Sequence, residues 1–137
     1  GGEPRAAIAA TLADGAVVWC THLGLRDEWR ATQTETLAAA IGPPPMEAGL
    51  PVLLAGDFNA PVEAGEIQQL LAQTGLHAQG EDDGPTFPSA TPLVRIDHLL
   101  ARGVVRLDSG VRADSGSDHY LIWADLEWPS PQTSALR

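Results

Sequence analysis

The run "PVLLAGDFNAP", Pro51 to Pro61, constrains the fold more tightly than any other segment. Val52 to Ala55 is apolar without polar alternation, the pattern of a strand covered on both faces inside a layered sheet. Gly56 ends it, and two polar side chains follow at once. Asp57 and Asn59 are two residues apart, so on an extended chain they point to the same side, at the strand's carboxyl end. An Asx turn leading into Pro61 is the plain alternative, and the other segments decide between the two.

"AAIAATL" and "AVVWCTHL", separated by Asp14-Gly15, read as a hairpin whose second strand ends at Thr21-His22. Asp27 caps a helix with apolar positions Trp29, Leu37, Ala40 and Ile41, and Gly42 with the prolines after it stops that helix. A second helix runs from about Glu63 to Thr74, with Ile67, Leu70 and Leu71 on one face and Gly75 closing it. Gly80 to Pro92 reads as a polar loop. "RIDHLLARG", "VVRLDSGV" and "HYLIWADLEW" are three further strands. The order predicts an α+β fold, a mixed β-sheet backed by helices on one face with its other face open and apolar. Residues 1–128 form the folded unit and residues 129–137 a flexible tail. Cys20, inside "AVVWC", reads as a buried core thiol.

Composition narrows the chemistry. The formal net charge is −10 and every basic residue is Arg, with no Lys. That balance argues against holding nucleic acid by a broad basic surface, because that mode needs Lys and Arg to neutralise phosphates, while nucleic acid stays open as a substrate. A phosphate substrate remains open if a bound cation supplies the positive charge. One cysteine excludes an internal disulfide, which leaves the compartment open with a lean toward the cytoplasm. No apolar run approaches the ~20 residues of a membrane span.

Four polar clusters stand at the ends of apolar strands: His22, Asp57 with Asn59, Asp97 with His98, and Ser117-Asp118-His119. Each alone is weak, since a strand-end His is commonly structural and an Asp before a strand is commonly a turn residue. Together they suit phosphoester hydrolysis. Carboxylates gathered at partly buried strand ends raise one another's pKa unless a cation joins them. Oxygen donors favour Mg2+ or Mn2+, and the absence of Cys ligands argues against structural zinc. A metal and a histidine would neutralise charge on the transition state while an Asp orients and deprotonates water.

"THLGLRDEWRATQTETL", "PVLLAGDFNAP", "PTFPSATPLVRIDHLL" and "SDHYLIWADLEW" resemble, in order, the C-terminal motifs of the endonuclease/exonuclease/phosphatase superfamily of metal-dependent phosphoesterases. The resemblance runs from about Arg5 to Trp128. It implies one half of a four-layer α/β/β/α sandwich. It also implies roles: His22 contacting the scissile phosphate or the leaving group, Asp57 activating water, and Asn59 fixing that water and a phosphate oxygen. By the same resemblance Asp118 is the metal-side aspartate, with Asp57 beside it. His119 is the phosphate-stabilising histidine and Asp97 the carboxylate that orients it. His98 falls on the opposite face of its strand and reads as structural.

Departures from the family pattern matter as much. Its members are about twice as long, and the N-terminal half that carries their principal metal glutamate has no match here. Glu3 and Glu28 lack the required context, and Leu121 stands close to where a proline is usual. The expectation is a Mg2+-dependent phosphodiester hydrolase, weak or incomplete without that half. The alternative is a non-catalytic binding or assembly module that keeps the half-fold. A serine hydrolase built on "SDH" is set aside, for there is no Gly-x-Ser-x-Gly elbow. A small or lipid phosphodiester is favoured over duplex DNA. The open face, with Val18, Leu53, Leu99 and Ile122 or their neighbours, calls for a second copy of the chain or a separate N-terminal half.

Overall fold

The computed structural model describes residues 3–114 and 116–129. Asp14 and Gly15 close the connection between β1 (Ala7–Thr11) and β2 (Val17–His22). Gly15 takes φ +90°, and Asp14 Oδ1 accepts the Ala16 N–H at 3.1 Å. A crossover through α1 (Asp27–Ile41) brings β3 (Val52–Asp57) parallel to β2. Next come α2 (Gly65–Thr74), the two-residue β4 (His77–Ala78) and β5 (Asp97–Arg102), which runs antiparallel to both β3 and β4. The resulting mixed sheet has the order β1-β2-β3-β5-β4. β6 (Val105–Arg112) and β7 (Leu121–Glu127) pair as a separate antiparallel ribbon. This is the expected α+β architecture. Among the described residues no helix is long and apolar enough to cross a membrane.

Both helices cover one face of the sheet. Leu37, Ala38, Ile67 and Leu70 from the helices pack with Val52, Leu54, Phe58 and Leu100 into one buried cluster. The reading of β3 as covered on both faces is corrected here: Leu53 and Ala55, which alternate with the buried Val52 and Leu54, are only half-buried. Val18, Leu99 and Ile122 are likewise half-buried, and Ile8 is 73% exposed. Cys20 is exposed rather than a core thiol, because it pairs in register with Ile8 and Ala55 on that uncovered side.

Other departures have identifiable causes. Asp27 is the first helical residue instead of the cap; its carboxylate accepts the N–H of Glu28, while Arg26 holds the cap position without a side-chain bond. The buried stripe of α1 is Arg30, Thr34, Leu37 and Ala38, with Ala40 exposed and Trp29 half-buried. Arg30 is buried because Glu66 on α2 takes its Nε–H at 2.6 Å and the Leu25 carbonyl accepts from its Nη1 at 2.6 Å. The second helix starts at Gly65, two residues after the expected Glu63, and ends at Thr74 as expected. Within the expected loop of Gly80 to Pro92, Glu81–Asp83 forms a 3₁₀ turn and Phe87 pairs with Val94. The Trp128 indole donates to Asp14 Oδ2 at 2.8 Å, which anchors the end of the ribbon to the β1–β2 turn. Residues 130–137 of the expected tail lie outside the described residues. Arg102, at the end of β5, donates through Nη1 to the carbonyls of Gly42 and Thr74, the carboxyl ends of α1 and α2.

Gly56 permits the closest approach in the sheet. It takes φ +153°, and a Cβ built there would lie 1.9 Å from the Thr21 carbonyl oxygen on β2. Gly56→Ala is therefore expected to destabilise the fold by about 3 kcal/mol or more, since neither backbone can move aside. Urea unfolding gives the value, and a loss below about 1 kcal/mol would show that β2 and β3 can separate at this point without consequence.

Candidate active site

The register of three strands assembles the site. His22 pairs with Asp57 across the parallel β2–β3 ladder, and Asp57 pairs with Asp97 across the antiparallel β3–β5 ladder. Directly paired residues share a face, so the three side chains form a row on the open side of the sheet. His22 Nε2 is 3.4 Å from Asp57 Oδ2.

The turn after β3 is an Asx turn that engages only one of the two Asp57 oxygens. Oδ1 accepts the Asn59 N–H at 2.8 Å, closing the turn, and Oδ2 is left to face the histidines. Asn59 sits at φ +49°, a region that Asn tolerates better than most residues. Its Nδ2 donates to the Leu23 carbonyl at 2.9 Å and lies 3.2 Å from His22 Nε2.

Asp97 anchors the other end of the row. Its Oδ2 accepts from His119 Nδ1 at 2.7 Å and from the Thr86 hydroxyl at 2.6 Å. With Nδ1 turned to Asp97, Nε2 is the ring atom that faces Asp57, 3.8 Å from its Oδ2. Phe87 packs against the imidazole with ring centroids 4.7 Å apart. Thr86 is fully buried, and its carbonyl accepts the Tyr120 N–H at 2.7 Å, so one segment holds both Asp97 and the chain beside His119.

Electrostatics follow from this packing. Burial by itself would lower the pKa of His119, but the hydrogen bond and charge of Asp97, with the charges of Asp57 and Asp118, outweigh it and raise the value above 6.5. Among the described residues, Asp57, Asp97 and His119 each offer one ligand atom within 4.8 Å of the others, a group that could hold a metal ion. Asp118 stands outside that group. Its side chain is exposed, and its backbone carbonyl accepts the Ser89 N–H. The structure thus brings His22, Asp57, Asn59, Asp97 and His119 together and leaves Asp118 at the margin. His98 lies on the helix-covered face with no exposed surface.

Thr86 and Phe87 were not singled out by residue type. The signal available for them was the "PTFP" stretch immediately before the Asp97 strand.

The chain belongs to the Endonuclease/Exonuclease/phosphatase family, whose model matches residues 6–119. It is 38% identical over 89 residues to the uncharacterized protein YbhP of Escherichia coli K12, an alignment covering 62% of this chain and 34% of that relative. The chain thus spans about a third of the length of the curated relatives it matches. Among solved structures it resembles the mannosyl-6-phosphatase Bt3783 of Bacteroides thetaiotaomicron, with TM-score 0.66, 18% identity, and 83% of this chain against 52% of that one. It also resembles D. rerio TDP2 complexed with a single-strand DNA product, with TM-score 0.68, 16% identity, and 90% of this chain against 62% of that one. Both likenesses show the fold.

A raised pKa means that charged His119 contributes stability fully present below about 6.5, its unfolded value, and lost as pH rises through the higher folded value. Asp97→Asn removes the nearest negative charge, so the His119 titration midpoint is expected to fall, and the stability loss, which still begins near 6.5, to become smaller and to be complete at lower pH. Proton NMR of the His119 ring in the metal-free protein measures this. An unchanged midpoint in Asp97→Asn would show that the pair does not set the charge of the ring.

Proposed function

We propose that this chain supplies the water-activating and phosphate-contacting groups of a metal-dependent phosphodiester hydrolase. One observation carries the reading: the Thr86–Asp97–His119 chain ends with the far ring nitrogen of His119 turned toward Asp57, whose Oδ2 faces the open side of the sheet. Such a pair suits a phosphate placed above the row. His119 Nε2–H would donate to a phosphate oxygen, its charge favoured by Asp97. Asp57 Oδ2 would take a proton from the attacking water, with the Asn59 amide holding that water or a phosphate oxygen. His22, the most exposed of the group at 54%, would meet the leaving-group side. Asp57, with Asp118 at the margin, would hold Mg2+ or Mn2+ there. When bound, such an ion supplies positive charge against the developing phosphorane. The net charge of −10 favours a small or lipid phosphodiester over duplex DNA.

Hydrolysis of bis(p-nitrophenyl) phosphate in Mn2+ tests the reading. Metal binding is expected in about the millimolar range, because this chain offers few carboxylates. Asp57→Asn and His119→Gln should each reduce turnover by about a hundredfold or more. Metal binding without any turnover, alone or with a complementary half, would favour the non-catalytic assembly module. Hydrolysis insensitive to both substitutions would place the chemistry elsewhere.

The same reading extends to assembly. The row of site residues lies on the uncovered face, beside Leu53, Ala55, Leu99 and Cys20, and apolar surface left in water costs on the order of 25 cal/mol per Å². A second copy about a two-fold axis, or a separate N-terminal half bringing the family's metal glutamate, would cover it. Light scattering at tens of micromolar, a working order of magnitude for interfaces of ordinary size, is expected to find a dimer. A stable monomer would remove the dimer from the reading and leave the complementary half, whose addition should restore activity.

A further inference from the structure

His98 follows Asp97 directly, yet it points away from the site into the helix-covered side of the sheet. Its register partner is Gly56, one residue before Asp57. Nε2 lies 2.8 Å from the Ala60 carbonyl oxygen and Nδ1 lies 3.0 Å from Glu81 Oε1. The same Glu81 oxygen is 3.5 Å from Arg95 Nε, and the Phe58 ring meets the imidazole edge-on with centroids 5.3 Å apart. Both partners are acceptors, so the ring nitrogen donates in each bond: the contact to Ala60 is made by a proton on Nε2 and the contact to Glu81 by one on Nδ1.

The bond to Ala60 falls at a demanding place. Asn59, one residue earlier, is the one non-glycine residue at positive φ among the described residues. A conformation of that kind persists when its surroundings over-determine it. From the open side the turn is held by Asp57 Oδ1, and by the Asn59 amide on the Leu23 carbonyl. On the strand side Phe58 N–H is tied to the Ile96 carbonyl. Beyond Asn59, the Ala60 carbonyl is fixed from beneath by His98. A side chain needed only to fill this space could be a leucine. The imidazole instead brings a donor to the one carbonyl that fixes the exit of the turn.

We propose that His98 is a positioning residue: its Nε2–H holds the Ala60 carbonyl, so that the turn presents Asp57 and Asn59 to the open face in one fixed geometry. Glu81, steadied by Arg95, sets the orientation of the ring. The inference rests on the proposed hydrolase reading for its activity measurement alone.

His98→Gln keeps an amide donor at nearly the reach of Nε2, and His98→Leu removes it. In His98→Leu, amide hydrogen exchange at Asn59 should accelerate about tenfold or more, and kcat for bis(p-nitrophenyl) phosphate should fall about tenfold with KM changed less than about twofold. His98→Gln should stay within about threefold of the parent in both. Equal losses in the two variants, or parent-like Asn59 exchange in His98→Leu, would overturn the proposal. If neither variant folds, the unmodified protein decides. Its His98 Nε2 should carry a slowly exchanging proton with a hydrogen-bond coupling to the Ala60 carbonyl carbon, and an unprotonated Nε2 overturns the assignment. If the parent hydrolyses nothing, the hydrolase reading fails while the exchange and coupling measurements still decide on His98.

Discussion

The register shared by β2, β3 and β5 is the constraint on which the rest depends. Leu54 and Leu100 are cross-strand partners and both are fully buried under the helices. Burying side chains of this kind is worth roughly 1.5–3 kcal/mol each, whereas placing Asp57 beside Asp97 is unfavourable by itself. The apolar face therefore sets the alignment and the carboxylates accept it. A slip of β3 by one residue would turn Asp57 into the core, and a slip of β5 would do the same to Asp97; either scatters the row. Gly56, with no side chain to strike the Thr21 carbonyl, is what lets β2 join this alignment.

Two carboxylates held side by side repel one another. Here each has its own donors. Asp97 is occupied by Thr86 and His119, while Asp57 is held through one oxygen by the Asn59 backbone. The outcome is a division of labour between chemically identical groups: one orients a histidine and the other keeps an oxygen toward the solvent side. That asymmetry comes from what packs around each, since both are strand-end aspartates of similar burial.

Much of this was legible in the chain. An apolar run ending in Asp57-Phe58-Asn59 announces a strand with a polar mouth, and the period of two separates Asp97 from His98 without further information. Along α1 hydropathy favours Trp29, whereas Arg30 is the buried residue, held by Glu66, a partner 36 residues away that no local pattern reveals. Thr86 was hidden for the same reason: a loop has no period, and its hydroxyl gains meaning only from Asp97. β4 is too short to show alternation. The apolar neighbours of Cys20 imply burial, but they cannot say whether this chain supplies the cover. Asp118 sits beside His119 in sequence, and adjacency did not fix where its carboxylate points.

The placement of Arg102 bears on how the molecule comes apart. One guanidinium at the end of β5 takes the terminal carbonyls of both helices, so three elements meet at a single cation. Helix ends ordinarily fray one at a time. Here the loss of either end strands a half-buried charge and weakens the hold on the other, so the two helices and the strand that carries Asp97 open as one cooperative unit. The carboxylate row at one end of the sheet is thus protected from local unfolding by a knot of hydrogen bonds at the other.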